Sequence, residues 1–280
     1  MSEVDAQVTP AYDRNNAQLY VGDCAEVMAA LPAESVDAIV TSPPYAMQRK
    51  STYGGIPEAE YPAWTVAWMA EARRVLKSDG SVIINIRPHI KAGQISDYVL
   101  RTRLALREDG WNECEELIWH KPGSMPMGST YRPRRSWESL LWYAKHGNPH
   151  SDPKANGREC VLINTGKARE GGHVHAGQKY GAKIEGRSRV ADVVSISTTA
   201  NERDNGLNTH PAVFPPSLAE WCGRLICPPG GTILDPFSGS ASTGVAALRN
   251  GWHYIGIDAV PEYIEMSGRR LDHEAGKVVA

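Results

Sequence analysis

Short apolar runs that read as buried strands alternate with stretches of helical spacing at both ends of the chain, and this alternation limits the fold more than any other feature. AQLYVG precedes CAEVMAAL, where Asp23 stands at the helix-capping position. SVDAIVT precedes YPAWTVAWMAEARRVL, in which Trp64, Ala67, Trp68, Ala72 and Val75 fall near helical spacing. DGSVIINI then reads as a turn and buried strand, ISDYVLRTRLALRED as a helix, and ECEELIWH and SWESLLWYAK as strands. Towards the C-terminus PPSLAEWCGRLIC, STGVAALRNG and PEYIEMSGRRLD have helical character, and GTILDPF and HYIGIDA lie between them as strands. Such alternation predicts an α/β fold, a doubly wound and mostly parallel Rossmann-like sheet.

From about His146 to Asn208 the texture changes. Gly, Asn, Lys, Arg and His dominate, and apolar periodicity is lost. We therefore expect residues 1–145 and 209–280 to form one core and 146–208 to be an inserted segment. Net charge over the whole chain is only −2, but it is unevenly spread. Lys121 to Val190 holds thirteen basic residues against five acidic ones, a net +8 that leaves −10 elsewhere. A basic field concentrated on an otherwise acidic protein suits a polyanionic partner. The five cysteines are scattered without metal-binding spacing, and neither a signal peptide nor an apolar run long enough to span a bilayer is evident. These features point to reduced thiols, no metal, a cytoplasmic protein and no membrane partner.

Two turns carry chemistry. After the strand SVDAIVT comes Ser42-Pro43-Pro44-Tyr45. Consecutive prolines fix two φ angles, remove two backbone donors and leave carbonyl acceptors on a rigid corner beside an aromatic ring. That arrangement suits a planar group that donates hydrogen bonds. The second turn follows the strand ending at Asp235 and reads DPFSGSASTG; the next strand ends at Asp258. Open α/β sheets bind ligands at the carboxyl ends of their strands, and an acidic residue closing a strand there can accept the hydroxyls of a ribose. No G-x-G-x-x-G is present, and Asp235 stands where a pyrophosphate would approach, which disfavours a nicotinamide dinucleotide. A carboxylate at that place suits a cationic or amine-bearing ligand.

Together, TSPPY and DPFSGSASTG resemble the amino-methyltransferases of DNA, with LYVGDC, RVLKSDGSVII, HPAVFPPSLAEW and IGIDAVPEYIEMSGRRL falling at matching places. The order, catalytic motif before cofactor motif with the recognition insert between them, resembles the permuted β group. The resemblance implies S-adenosylmethionine as cofactor. Asp235, Pro236, Phe237, Gly239 and Ser240 would line its methionine end, Asp258 its ribose and Asp23 its adenine, with His210, Pro211 and Phe214 completing the wall. Ala241 replaces the usual second glycine of the turn, and Ser242 the usual threonine. Because alanine disfavours positive φ, a differently shaped turn is expected.

The resemblance also implies a reaction. Ser42 Oγ and the Pro43 carbonyl would accept the protons of an exocyclic amine and free its delocalised lone pair, and Tyr45 would stack on the base. The base would be flipped out of duplex DNA. None of the five cysteines follows a proline, which excludes the cysteine-dependent methylation of cytosine C5. Serine at the first motif position leans, within the family, toward cytosine N4 over adenine N6. Arg132, Arg134, Arg135, Lys145, Lys167 and Lys183 would meet phosphates. His173 and His175 read as phosphate contacts or plain surface. A cognate restriction endonuclease is a possible partner, and the protein would act as a monomer or homodimer in a bacterial or phage-infected cell. Alternative readings are methylation of RNA or of a protein side-chain amide, a non-catalytic DNA-binding protein, and a nicotinamide oxidoreductase; the last leaves TSPPY unexplained.

Overall fold

The computed structural model describes residues 8–47, 55–123, 131–163, 183–198 and 215–278. The chain opens with β1 (Tyr12–Arg14), β2 (Ala17–Val21), α1 (Cys24–Ala30), β3 (Val36–Thr41), α2 (Tyr61–Val75) and β4 (Leu76–Ile86). A small hairpin of β5 (Ile90–Lys91) and β6 (Gln94–Ile95) leads to α3 (Tyr98–Glu108), β7 (Asn112–His120) and β8 (Trp137–Ala144). Then come β9 (Glu159–Ile163), β10 (Lys183–Arg187), β11 (Val193–Ser195), α4 (Pro216–Ile226), β12 (Thr232–Asp235), α5 (Ser242–Asn250), β13 (His253–Asp258) and α6 (Pro261–Val278).

The central sheet has the order β1-β2-β13-β12-β3-β4-β8-β7-β11. From β2 to β4 every pairing is parallel, while β8 runs antiparallel between β4 and β7. β3 is buried at all of its positions, as a parallel strand covered on both faces must be. Alternation along the strands divides the core in two. Leu19, Ala38, Val40, Ile83, Leu140 and Ile233 pack towards α4, α5 and α6. Tyr20, Ile39, Val82, Ile84, Leu141 and Leu234 pack towards α1, α2 and α3. The expected doubly wound sheet is what the chain forms.

The expected inserted span contributes to this sheet. Its residues Val193–Ser195 pair in parallel with Ile118–His120 and make the edge strand β11, and β9 and β10 form a separate antiparallel pair. No helix among the described residues is long and apolar enough to cross a membrane.

Candidate active site

Four adjacent parallel strands end side by side, and their last residues bring the two sequence motifs together. Gly22 and Asp23 follow β2, Asp258 ends β13, Asp235 ends β12 and Thr41 ends β3. The Gly22 N–H donates to the Asp258 carbonyl at 3.0 Å. Asp23 caps α1, its Oδ1 accepting from the Ala25 and Glu26 N–H groups at 2.9 and 3.3 Å. Thr41 Oγ1 donates to Asp235 Oδ1 at 2.7 Å, and Thr243 Oγ1 donates to Oδ2 at 2.8 Å. The Phe237 N–H adds a third donor at 3.1 Å. Asp235 is buried, and that burial pushes its pKa up to about 6 against the pull of these donors. Both carboxylate oxygens are thus engaged by the protein, and the side chain clasps one motif to the other.

The glycine-rich turn is pinned from behind. The Ser238 N–H donates to the Ile257 carbonyl at 2.8 Å, and the Gly239 N–H donates to Asp258 Oδ2 at 2.9 Å. From α6, Ser267 Oγ donates to the Gly239 carbonyl at 2.9 Å, and the buried Arg270 donates to the Ser240 carbonyl at 2.7 Å. Ala241 was expected to change the turn. Instead it takes φ +55° and ψ +43°, the left-handed conformation natural to a glycine, because its N–H donates to the Ser238 carbonyl and its methyl is buried among core residues. The conformation is strained for alanine and is held by its surroundings. Phe237 packs on α2, with ring centroids 5.5 Å from Trp64 and 5.3 Å from Trp68.

The Ser42–Tyr45 corner follows directly from Thr41. Pro43 is buried, while Ser42, Pro44 and Tyr45 are half-buried. The Tyr45 hydroxyl donates to Glu138 Oε2 at 2.8 Å and lies 3.4 Å from Asn85 Oδ1. Glu138 is buried at the start of β8, where its Oε1 accepts from Lys121 Nζ and lies 3.9 Å from Arg87 Nε. Burial, with the Glu138 charge adding to it, holds the Tyr45 pKa well above that of a free tyrosine. The sequence reading missed Glu138, Asn85, Lys121, Thr243 and Arg270. Thr243 stands within the quoted turn motif but carries no spacing signal of its own; the other four are distant in the chain from the motif they serve, and a lone buried polar residue on a strand or helix carries no such signal.

The basic residues divide by position. Arg132, Arg134 and Arg135 precede β8, so they stand at the same end of the sheet as Ser42. Arg132 donates to the Gly93 carbonyl of the small hairpin and stacks over Tyr131. Burial, with the neighbouring Arg87 charge adding to it, lowers the pKa of Arg135. Lys145 does not belong with them. It follows β8 at the opposite end of the sheet, donates to the Leu76 carbonyl and is largely buried, so the expected phosphate contact is corrected to a structural one. Lys183 lies in β10, away from this group in the chain. His210, Pro211, Phe214, Lys167, His173 and His175 lie outside the described residues.

A mostly parallel, doubly wound sheet whose strand ends join a Pro-Pro-Tyr corner to an acidic glycine-rich turn defines a class of methylases. The family model described as DNA methylase, of the N6/N4 type, matches residues 36–269, and the chain belongs to that family. Among its relatives is the type II methyltransferase M.PvuII of Proteus hauseri, 28% identical over 94% of this chain and 85% of that protein. M.Cfr9I of Citrobacter freundii, also a type II methyltransferase, is 29% identical over 95% of this chain and 91% of its own length. The solved PvuII DNA methyltransferase, titled cytosine-N4-specific, superposes with a TM-score of 0.74 at 24% identity, covering 97% of this chain and 95% of that one.

Proposed function

We propose that this chain transfers a methyl group from S-adenosylmethionine to the exocyclic N4 amine of cytosine in duplex DNA. The Thr41–Asp235 hydrogen bond carries the reading: it fastens a corner suited to holding a planar amine to the acidic turn suited to a cationic nucleoside. The residues fit that cofactor. Carboxylates at Asp23, Asp235 and Asp258 stand on neighbouring strand ends, matching a sulfonium and a ribose diol, and the half-buried Phe237 ring adds apolar surface beside them. In this reading Asp235, Pro236, Phe237, Gly239 and Ser240 hold the methionine end, Asp258 the ribose and Asp23 the adenine, with His210, Pro211 and Phe214 completing the wall.

Bound there, S-adenosylmethionine supplies an electrophilic methyl group on a sulfonium. The chain's own residues act on the amine. Ser42 Oγ and the Pro43 carbonyl accept its protons and draw the nitrogen toward tetrahedral geometry, while Tyr45 stacks on a base extruded from the duplex. Arg132, Arg134 and Arg135 meet the phosphates, and residues 146–208, apart from the edge strand β11 that they lend to the core sheet, contribute target recognition to a core otherwise formed by 1–145 and 209–280. Ser42 at the first motif position supports cytosine N4 as the target. The type II relatives support pairing with a restriction endonuclease of the same specificity in a bacterial cytoplasm.

Incubation with S-adenosylmethionine and mixed-sequence duplex DNA, followed by nuclease digestion and mass spectrometry, tests the proposal. N4-methylcytosine is expected, and its loss in Ser42→Ala. N6-methyladenine would overturn the choice of base. Neither product, with cofactor binding intact, would overturn the reaction.

A further inference from the structure

We propose that Arg270 is a positioning residue for cofactor binding: from behind the glycine-rich turn it bridges the residues on both sides of Ala241 and so keeps an alanine in a left-handed backbone. This inference rests on the cofactor assigned above. Two residues of the turn stand at positive φ, Gly239 at +53° and Ala241 at +55°. Glycine adopts that region freely, whereas the alanine Cβ crowds the following carbonyl. Left to itself, the turn would relax toward negative φ at Ala241. Something outside the turn must therefore hold it.

Arg270 supplies that hold. Its Nη1 donates to the Ser240 carbonyl at 2.7 Å and to Ser242 Oγ at 3.2 Å, with Ser240 Oγ at 3.4 Å. A single guanidinium nitrogen thus bridges the two neighbours of Ala241. The Ser240 carbonyl belongs to the same planar peptide as the Ala241 N–H, which donates to the Ser238 carbonyl at 2.8 Å, so both edges of that plane are tied. On the other side, the Ala241 carbonyl accepts from the Val245 N–H at 2.9 Å. With both flanking planes fixed, φ and ψ of Ala241 are set from outside. Ser267, one helical turn earlier on α6, treats the other left-handed residue in the same way, donating to the Gly239 carbonyl at 2.9 Å. Arg270 is 1% exposed and Ser267 0%, so these carbonyls have been taken out of water and depend on the two donors. The helix that carries them is itself fixed. Asp272 accepts from the Tyr12 hydroxyl at 3.0 Å and from Arg14 at 2.6 Å, both in β1.

Calorimetric titration with S-adenosylmethionine tests it through a double-mutant cycle. Arg270→Met keeps most of the side-chain volume and removes every donor. It is expected to weaken cofactor affinity about tenfold, while kcat at saturating cofactor and KM for DNA stay within about twofold of the parent. In the Ala241→Gly background the left-handed backbone needs no holding, and there Arg270→Met is expected to weaken affinity by no more than about threefold. A purely structural role would weaken affinity equally in the two backgrounds. Equal losses, full affinity in Arg270→Met, or a loss carried by kcat would overturn the inference. If Arg270→Met fails to fold, Arg270→Lys decides by the same comparison, since it keeps the buried charge but ends short of the bridged pair. A parent that binds S-adenosylmethionine while the two losses are equal would remove this inference and leave the proposed function standing. A parent that binds none would remove both.

Discussion

Asp235 concentrates the chemistry of the turn in one side chain. Its place in DPFSGS was legible from the sequence, but its Thr41 donor was not, since that residue comes from 194 residues away. Its folded-state pKa of about 6 lies above the ordinary 3.8. The folded protein therefore holds the proton more tightly than the unfolded chain. The stability linked to this group is complete below 3.8 and is lost as pH rises through about 6. Asp235→Asn is expected to flatten that part of the stability–pH curve, as read by urea unfolding at several pH values. A cationic cofactor favours the ionised form, so its affinity in the parent is expected to rise between pH 5 and pH 7 by calorimetry, a span flanking the value of about 6. Equal affinities at the two pH values would remove the carboxylate from any contact with the sulfonium. Ala241 teaches the complementary lesson: its side chain argued against a left-handed backbone, and the surrounding contacts hold it in one.

At the scale of elements, apolar spacing located the strands and helices of the core, because burial on a face imposes a period. Ends were less legible. The helix expected at PEYIEMSGRRLD runs on to Val278 as α6, and its extension lacks apolar spacing. There Glu274 is buried against Arg249 of α5 at 2.7 Å, a contact between two helices that neither segment reveals alone. The contact of α5 with β13 depends on Gly244. A Cβ at that position would lie 2.6 Å from Tyr254 Cε1 and 3.0 Å from Leu271 Cδ2, so the turn-bearing helix would be pushed off the strand. Gly244→Ala is expected to destabilise the fold by about 1–3 kcal/mol in urea unfolding, despite the better helix propensity of alanine. An unchanged or raised midpoint would show that α5 shifts without cost.

Across the whole molecule, the basic span and the acidic remainder are spatially resolved only in part. Arg132, Arg134 and Arg135 gather at the site's end of the sheet, where β8 begins, while Lys145 is carried to the far end by the length of the same strand. Arg135→Ala is therefore expected to reduce the slope of log affinity for duplex DNA against log salt by about 1, and Lys145→Ala to leave that slope unchanged. Fluorescence anisotropy across a salt series measures both; equal slopes for the two variants would contradict the division. The sequence by itself determined the sheet class, the amine-holding corner, the acidic turn and the order of the two, because periodicity, proline chemistry and glycine content act locally. Tertiary structure alone decided which partners each side chain meets. The Thr41–Asp235 clasp, the Glu138 anchor behind Tyr45 and the burial of Lys145 arise where strands distant in the chain become neighbours, and local pattern holds no record of that adjacency.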